Sequence, residues 1–390
     1  MQRFVALDSW RGIAACLVAL YHFDATSHVY GLSLLRHAWL FVDLFFVLSG
    51  FVIAANYQER LLAGYGAGRF LLLRLGRLYP LHFVMLALFV ACKALLLIPA
   101  LAPISTSAAA PFSTPNEAPG TILANLLLVQ SLHLYEFHTW NAQSWSISAE
   151  FYTYIVFVAC LLALRRHAWI ALLAALLGAP LLIGMLSYRN LATDYDWGLL
   201  RCIYGFAAGV AIWNAYQRWR APLGRWLSGS AAEWGAIILM CAFVSVAGKT
   251  VLSLAAPYVF GLLVLVFAFE SGSASAILRL RPLVFLGVVS YSIYMTHVFL
   301  MKRFMDAGRA LEKIWQVDAF TRRELYGQEV KFLGIEPWQG DLATLAYLAA
   351  VLAVSYFTFR WIERPARDWV RNRVGRRAPA PAGALRMTPG

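Results

Sequence analysis

Two ionisable side chains lie inside the first apolar stretch of the chain, where such groups are rare unless they serve a function. Arg11 and His22 are eleven residues apart in LDSWRGIAACLVALYHF. At about 100° per residue this spacing returns to nearly the same helix face, about 16 Å further along the axis. It predicts one stripe with an anion-binding guanidinium at one end and a proton-transferring imidazole at the other. Interfacial snorkelling of the arginine and an ordinary interfacial histidine are the alternatives.

A second basic pair could bind an anion. Arg74 and Arg77 of LRLGRLYPLH are one helical turn apart, so both side chains can reach one ligand. Arginine forks suit phosphate oxygens. Ordinary anchoring by basic loop residues is the alternative interpretation.

Polar groups expected in the opposite half of the membrane could complete a catalytic site. Asp43 begins VDLFFVLSGFVI, Glu150 lies in QSWSISAEFYTY, and Tyr294 and His297 share a helix face in SYSIYMTHVF. An imidazole whose tautomer is fixed by a carboxylate can take a proton from a hydroxyl and return it to a leaving group. The pattern therefore predicts His22 as a base, oriented by Asp43 or Glu150.

Several other chemistries lack support in the sequence. It contains no G-x-S-x-G, Walker, G-x-G-x-x-G or H-E-x-x-H motif. The cysteines have neither C-x-x-C nor ligand-like spacing, so no metal site and no disulfide framework is expected. The formal charge of +13 comes from short loops and the tail, which argues against nucleic acid as a partner.

Composition identifies the elements that must position these residues. The 390-residue chain is 61% hydrophobic and 14% charged, and its mean hydropathy is +0.64. These values predict an all-α polytopic transmembrane bundle of about ten spans. We expect a membrane domain over 1–365 and a basic, disordered tail over 366–390. After the first run, spanning-length apolar runs occupy 38–56, 79–99, 145–164, 168–187, 198–216, 231–248, 252–270, 283–301 and 342–361.

The basic loops predict the topology. Both termini are expected in the cytoplasm, with the protein in the cytoplasmic (inner) membrane, and all arginine-rich loops then lie inside if 121–135 does not cross. This segment is therefore predicted to be a re-entrant or interfacial helix. The stretch 99–120 is expected to be an irregular external loop. The external segment 302–341, with a helical start at 306–316, is expected to be either a small lid or a solvated connector.

The motifs taken together resemble the acyltransferase-3 integral membrane acyltransferases over about residues 4–365. The motifs that carry the resemblance are Arg11-x10-His22, FFVLSGFVI at 45–53, Arg74-x-x-Arg77 followed by Tyr79-Pro80, Trp145-Ser146-x-x-x-Glu150, Ser290-Tyr291-Ser292-x-Tyr294-x-x-His297, and Glu363-Arg364-Pro365.

The resemblance implies acyl-CoA, in the first instance acetyl-CoA, as donor, with no metal. Its phosphates are expected at Arg74 and Arg77, with Arg11 nearby. His22 is expected to be the general base or, alternatively, a transient acyl carrier, and Asp43 or Glu150 its orienting group. The expected substrate contacts are Trp145, Ser146, Tyr294 and His297.

The predicted function is transfer of the acyl group to a hydroxyl of an extracytoplasmic acceptor. A sugar of a cell-surface polysaccharide or a lipid-linked glycan is the expected acceptor. The main alternative is a transporter or exporter that uses the buried Arg, His and Glu as a proton or substrate relay. A non-catalytic membrane scaffold is a third possibility. Release of free thiol from acyl-CoA distinguishes the enzyme from the other two.

Overall fold

The computed structural model describes residues 3–98, 110–325 and 328–376. Two strands, β1 Phe320–Leu325 and β2 Gln328–Leu333, form an antiparallel hairpin. Short π-helical stretches at Ala54–Gln58 and Phe359–Glu363 follow α3 and α14. The α-helices are α1 Val5–Tyr21, α2 Ser33–Arg36, α3 Phe41–Ile53, α4 Glu59–Leu62, α5 Ala67–Leu95, α6 Pro119–Leu126, α7 Trp145–Leu164, α8 Ala168–Leu186, α9 Gly198–Leu227, α10 Ser230–Ala247, α11 Ala256–Phe267, α12 Ser273–Leu278, α13 Arg281–Trp315, α14 Pro337–Thr358 and α15 Arg364–Arg376.

The helices are those of a polytopic membrane protein. Within the described ranges, seven helical stretches are long and apolar enough to cross a bilayer. One of them, Ala142–Leu186, contains both α7 and α8, joined through a tight turn at Arg165–His167. The other two predicted spans contain shorter helices, the 17-residue α1 and the apolar α11. Every apolar run predicted from the sequence contains a helix, so the predicted fold class is confirmed.

Glycines allow α1 and α13 to approach backbone to backbone. A Cβ at Gly287 of α13 would lie 2.4 Å from the carbonyl oxygen of Asp8 in α1, and Gly12 faces α13 equally closely. At this separation the Arg11 side chain reaches across, and its Nε donates to Ser290 Oγ at 3.0 Å. The crossing therefore turns Arg11 towards the protein interior.

Residues 115–144, in the described part of the connection between α5 and α7, turn back on themselves. Its helix α6 has only 8 residues and ends at Leu126. The backbone N–H of Trp140 donates to the carbonyl of Asn116, which brings the two arms together. Tyr79 of α5 donates to the Leu126 carbonyl at 3.0 Å, so the turn is held inside the bundle. The helix predicted near 121–135, re-entrant or interfacial, is present as α6, with a shorter helical part.

Two expectations about flanking segments are corrected. The helix expected at 306–316 is the continuation of α13, and the hairpin β1–β2 follows it. Residues 366–376, expected to be disordered, belong to α15. This helix forms because its apolar face packs on α5, where Val370 lies against Gly76. Most of the predicted irregular loop, at 99–109, and the last part of the tail, at 377–390, lie outside the described residues.

Candidate active site

Basic side chains gather in a vestibule at one end of the bundle, here called the N-terminal side. The vestibule has an empty volume of about 1350 Å³ and lies between α1, α3, α5, α13 and the turn that precedes α15. Its positive excess suits a polyanionic ligand. The charged lining consists of Arg3, Arg11, Arg74, Arg77, Arg367, Asp8 and Glu363.

The vestibule continues into a narrower inner cavity. Arg11, Arg74 and Arg77 line both spaces, so they lie at the junction. A ligand anchored by its anionic end at these arginines can therefore extend into the membrane interior. The polar lining further inside consists of Ser49, Ser146, Glu150, Tyr154, Ser290 and Tyr294.

Neutral groups hold the arginines at the junction. Arg11 binds the Ser290 hydroxyl. Arg74 donates from Nη2 to the Tyr57 hydroxyl at 3.3 Å and stacks on that ring at 5.1 Å. Its Nε is buried and has no hydrogen-bond partner among the described residues. Arg11 and Arg74 thus form these hydrogen bonds without a carboxylate, although Asp8, Glu363 and Glu150 lie within electrostatic range of Arg11.

Glu150 forms part of the cavity wall. One of its oxygens accepts hydrogen bonds from Ser49 Oγ at 2.7 Å and from the Tyr154 hydroxyl at 2.5 Å. Arg77 lies within electrostatic range of this carboxylate. Glu150 therefore belongs to the inner cavity, on the arginine side of Tyr294.

His22 lies at the far side of the membrane, beyond the end of the cavity. Its Nδ1 is 2.8 Å from the Val18 carbonyl, which only accepts, so Nδ1 carries the proton. Nε2 is then the basic nitrogen, and it accepts from the Gln143 amide at 2.6 Å. Gln143 in turn accepts from the Tyr294 hydroxyl at 3.3 Å. Both Arg11 and His22 face the interior, as the spacing predicts.

Tyr294, Ser146 and Gln143 separate the inner cavity from His22. Ser146 donates to the Tyr294 hydroxyl at 2.8 Å. Tyr294 and Ser146 line the cavity, whereas Gln143 contacts His22. Rotation of these three side chains would connect the arginine junction with the basic nitrogen of His22.

The predicted pairing of His22 with a carboxylate is corrected by the structure. Asp43 is fully buried and forms a two-point ion pair with Arg201, with nitrogen–oxygen distances of 2.9 and 2.7 Å. Both of its oxygens are thereby occupied. Glu150 binds Ser49 and Tyr154 instead. The side chain that contacts the imidazole is the neutral amide of Gln143, while any role of the two acids in turnover stays a prediction.

The other predicted substrate contacts are divided between two locations. Trp145 lies outside the cavity lining, and Arg201 stacks on its ring at 5.3 Å. His297 lies beside His22 with ring centroids 5.2 Å apart, and its Nδ1 is bound to the Tyr294 carbonyl at 2.7 Å. Ser146 and Tyr294 are the two predicted contacts that line the cavity itself.

Aromatic and ionised side chains lie on the two loops that meet at His138, near His22. His138 bonds Asp194 at 3.0 Å and lies within electrostatic range of His22. Although burial opposes it, the hydrogen bond from His138 and the nearby Arg189 lower the pKa of Asp194. We call the surrounding rings the aromatic rim: His133 against Trp197, Tyr135 against Phe137, and His138 against Tyr195.

Sequence reasoning missed two residues at the site. Arg201 lies inside the apolar run 198–216, so the argument that identified Arg11 could also have identified it. Gln143 ends a polar stretch before α7, and its position against His22 depends on the re-entrant fold. No pattern in the sequence indicates that contact.

Comparison with known proteins identifies the family. The sequence model of the acyltransferase-3 family, described as "Acyltransferase domain", matches residues 4–360. "Protein 2 in picA locus" from Rhizobium radiobacter is 42% identical over 91 residues, which are 23% of this chain and 46% of that protein. The match thus covers less than half of this relative. No solved structure matches the chain.

Proposed function

The chain belongs to the acyltransferase-3 family and is a membrane acyltransferase; we propose that it transfers an acyl group from acyl-CoA to a carbohydrate hydroxyl. The donor occupies the vestibule and inner cavity, and the acceptor approaches His22 from the far side. Acetyl is the acyl group we propose to test first. The observation that carries this proposal is the continuity between the arginine-lined vestibule and a cavity that ends at Ser146 and Tyr294. Tyr294 contacts Gln143, which in turn contacts His22.

The arginine junction suits the phosphates of CoA. Arg11, Arg74 and Arg77 converge there and can offer forked hydrogen bonds to phosphate oxygens. The thioester arm then extends through the cavity towards His22, which is about 16 Å from Arg11 along α1. Glu150 faces this arm in the cavity wall.

His22 is the proposed general base. Nε2 removes the proton from the acceptor hydroxyl while the hydroxyl oxygen attacks the thioester carbonyl. The carbon–sulfur bond then breaks, and the proton on Nε2 passes to the departing thiolate. The Val18 carbonyl supports this cycle because it keeps the other proton on Nδ1. A transient acyl group on His22 is the alternative course.

The aromatic rim supports a carbohydrate as the acceptor class. Flat rings can cover the apolar faces of a sugar, and ionised carboxylates accept hydrogen bonds from hydroxyl groups. Asp194 and Asp196 both have lowered pKa values: burial opposes the shift, but hydrogen bonds and Arg189 outweigh it. They are therefore ionised at neutral pH, and their bonds to Arg189 hold the loop that carries Tyr195 and Trp197.

We further propose that the N-terminal side faces the cytoplasm. The arginine-rich vestibule lies on this side, and basic residues near membrane helices are retained in the cytoplasm. Acyl-CoA is made there, so this orientation supplies the donor. It also places both termini inside and the aromatic rim outside in a cytoplasmic membrane.

The proposal is tested with the protein in nanodiscs, where both sides are accessible. Acetyl-CoA is added with a panel of methyl glycosides; thiol release is followed by a colorimetric reagent and the sugar ester by mass spectrometry. We expect equal amounts of thiol and ester, and loss of both in His22→Ala that still binds CoA. Ester formation by His22→Ala at the wild-type rate would remove His22 from the mechanism. No thiol release with any acceptor or acyl-CoA would refute the proposed donor.

A further inference from the structure

The basic nitrogen of His22 is occupied in the structure. Gln143 donates to Nε2 at 2.6 Å, and the Tyr294 hydroxyl supports the same amide from its other end. A general base must lie within hydrogen-bond reach of the proton it removes. An acceptor hydroxyl therefore has to displace the Gln143 amide before transfer can begin.

The backbone around Gln143 is fixed, so only its side chain can move readily. The Gln143 carbonyl lies 3.1 Å from Ser146 Oγ at the start of α7. The preceding residue pair is tied to α13, because Asn141 donates to the Met295 carbonyl at 3.1 Å. Gln143 is 6% exposed, so its amide loses its hydrogen bonds on leaving His22 unless another partner receives it.

His297 offers such a partner. Its ring centroid lies 5.2 Å from that of His22, and its Nδ1 is bound to the Tyr294 carbonyl. Its Nε2 is fully buried and has no hydrogen-bond partner among the described residues. Because Nδ1 carries the proton, this Nε2 is a free acceptor. His22 and His297 thus offer two acceptor nitrogens on neighbouring rings, and the Gln143 amide binds that of His22.

We propose that Gln143 is a two-position latch that makes acyl transfer dependent on the acceptor. It caps Nε2 of His22 at rest and turns to Nε2 of His297 when an acceptor hydroxyl binds. This inference rests on the proposed acyltransferase function. Gln143 is a positioning residue in this scheme, since it acts through His22.

The latch protects the thioester from water. If Nε2 were open, it could remove a proton from water, whose oxygen would attack the thioester carbonyl. The carbon–sulfur bond would break, giving a carboxylic acid and free CoA, with the proton passing from Nε2 to the thiolate. A sugar held by the aromatic rim replaces the amide with its own hydroxyl, whereas single waters lack this additional binding.

The test compares two glutamine variants from the same re-entrant segment. Gln143→Met keeps the side-chain length but removes the amide. Gln130→Met is the matched control, because Gln130 is 4% exposed and its amide binds the carbonyl and hydroxyl of Ser144 and not the imidazole of His22. Thiol release from acetyl-CoA is measured in nanodiscs without acceptor, and the ratio of sugar ester to thiol is measured with acceptor.

We expect Gln143→Met to raise acceptor-free thiol release on the order of tenfold and to lower the ester-to-thiol ratio. Gln130→Met should match the wild type. Acceptor-free release by Gln143→Met no faster than wild type would overturn the latch. CoA binding, measured by calorimetry, verifies the fold. If Gln143→Met fails to bind CoA, Gln143→Asn replaces it, because its shorter side chain cannot bring the amide to Nε2. Acceptor-free thiol release by Gln143→Asn no faster than wild type would then overturn the latch.

A second variant tests Nε2 of His297 as the second position of the Gln143 amide. His297→Phe removes the free acceptor while keeping a ring, so the amide should stay on His22. We expect slower transfer with no increase in acceptor-free thiol release, the opposite of Gln143→Met. An increase equal to that of Gln143→Met would overturn the two-position scheme. If wild-type protein releases no thiol under any condition, the proposed function itself fails, which is distinguishable from failure of the latch.

Discussion

Asp43 should act as a structural anchor and not as a catalytic acid. Its carboxylate is 0% exposed, and the guanidinium of Arg201 that binds both of its oxygens is 2% exposed. Arg201 also donates to the Thr193 carbonyl at 3.0 Å. The ion pair therefore links α3 and α9 to the loop that carries part of the aromatic rim. The perturbation is Asp43→Asn, which keeps the shape and removes the charge.

The expected magnitude follows from burial. Two unit charges about 4 Å apart attract by about 4 kcal/mol at an effective dielectric constant of 20. Removing one partner of a buried pair costs about 3–5 kcal/mol, because the remaining charge has no compensation. Arg201 keeps only the Thr193 carbonyl and the rings of Trp39 and Trp145, at 5.1 and 5.3 Å. We therefore expect a loss of about 3 kcal/mol in the free energy of unfolding.

The assay is an SDS titration in mixed micelles, which measures the folding equilibrium of the whole chain. Asp43→Asn should unfold at clearly lower SDS, with an unfolding constant increased by more than about a hundredfold. The double variant Asp43→Leu/Arg201→Met should recover most of the stability, since an apolar pair can replace a buried ion pair. It should also recover CoA binding.

Two results would refute this reasoning. The first is a decrease of less than about 1 kcal/mol in the free energy of unfolding of Asp43→Asn, which would mean that Asp43 does not compensate a buried charge on Arg201. The second is an Asp43→Leu/Arg201→Met protein that is stable and binds CoA and acceptor but transfers no acyl group. This result would show that Asp43 or Arg201 takes part in the reaction.

Three further outcomes are expected. Arg74→Gln/Arg77→Gln should raise the KM for acyl-CoA more than tenfold, measured at saturating acceptor, because two phosphate contacts are lost. An unchanged KM would show that the donor binds elsewhere. Gly287→Ala should lower the free energy of unfolding by about 1–3 kcal/mol in SDS titrations, since its Cβ would meet α1 backbone at 2.4 Å. Because the pKa of Asp194 is lowered in the folded protein, its charge stabilises the fold above about pH 4, and this contribution is lost as pH falls through the folded-state pKa. The thermal midpoint of unfolding should therefore decline on acidification, and it should decline less steeply in His138→Phe.

Local patterns of the sequence predict much of the architecture. Apolar runs of spanning length predict the helices, and the arginine-rich loops predict that the segment near 121–135 turns back. The helices are confirmed because lipid imposes the same requirement on each segment separately: its backbone must be satisfied within it or inside the protein. The helix period likewise brings Arg11 and His22 to one interior face.

The partners of these residues depend on the tertiary structure. Sequence spacing suggested a carboxylate for His22, but Asp43 lies against Arg201, and Gln143 reaches the imidazole from the re-entrant segment. Such contacts join segments more than a hundred residues apart, and they are set by how closely the helices cross at residues such as Gly287. The sequence by itself determined the helices and which faces are polar. Only the packing of those helices decided which polar groups meet, because hydrogen bonds require atoms within about 3 Å and no local pattern specifies that separation.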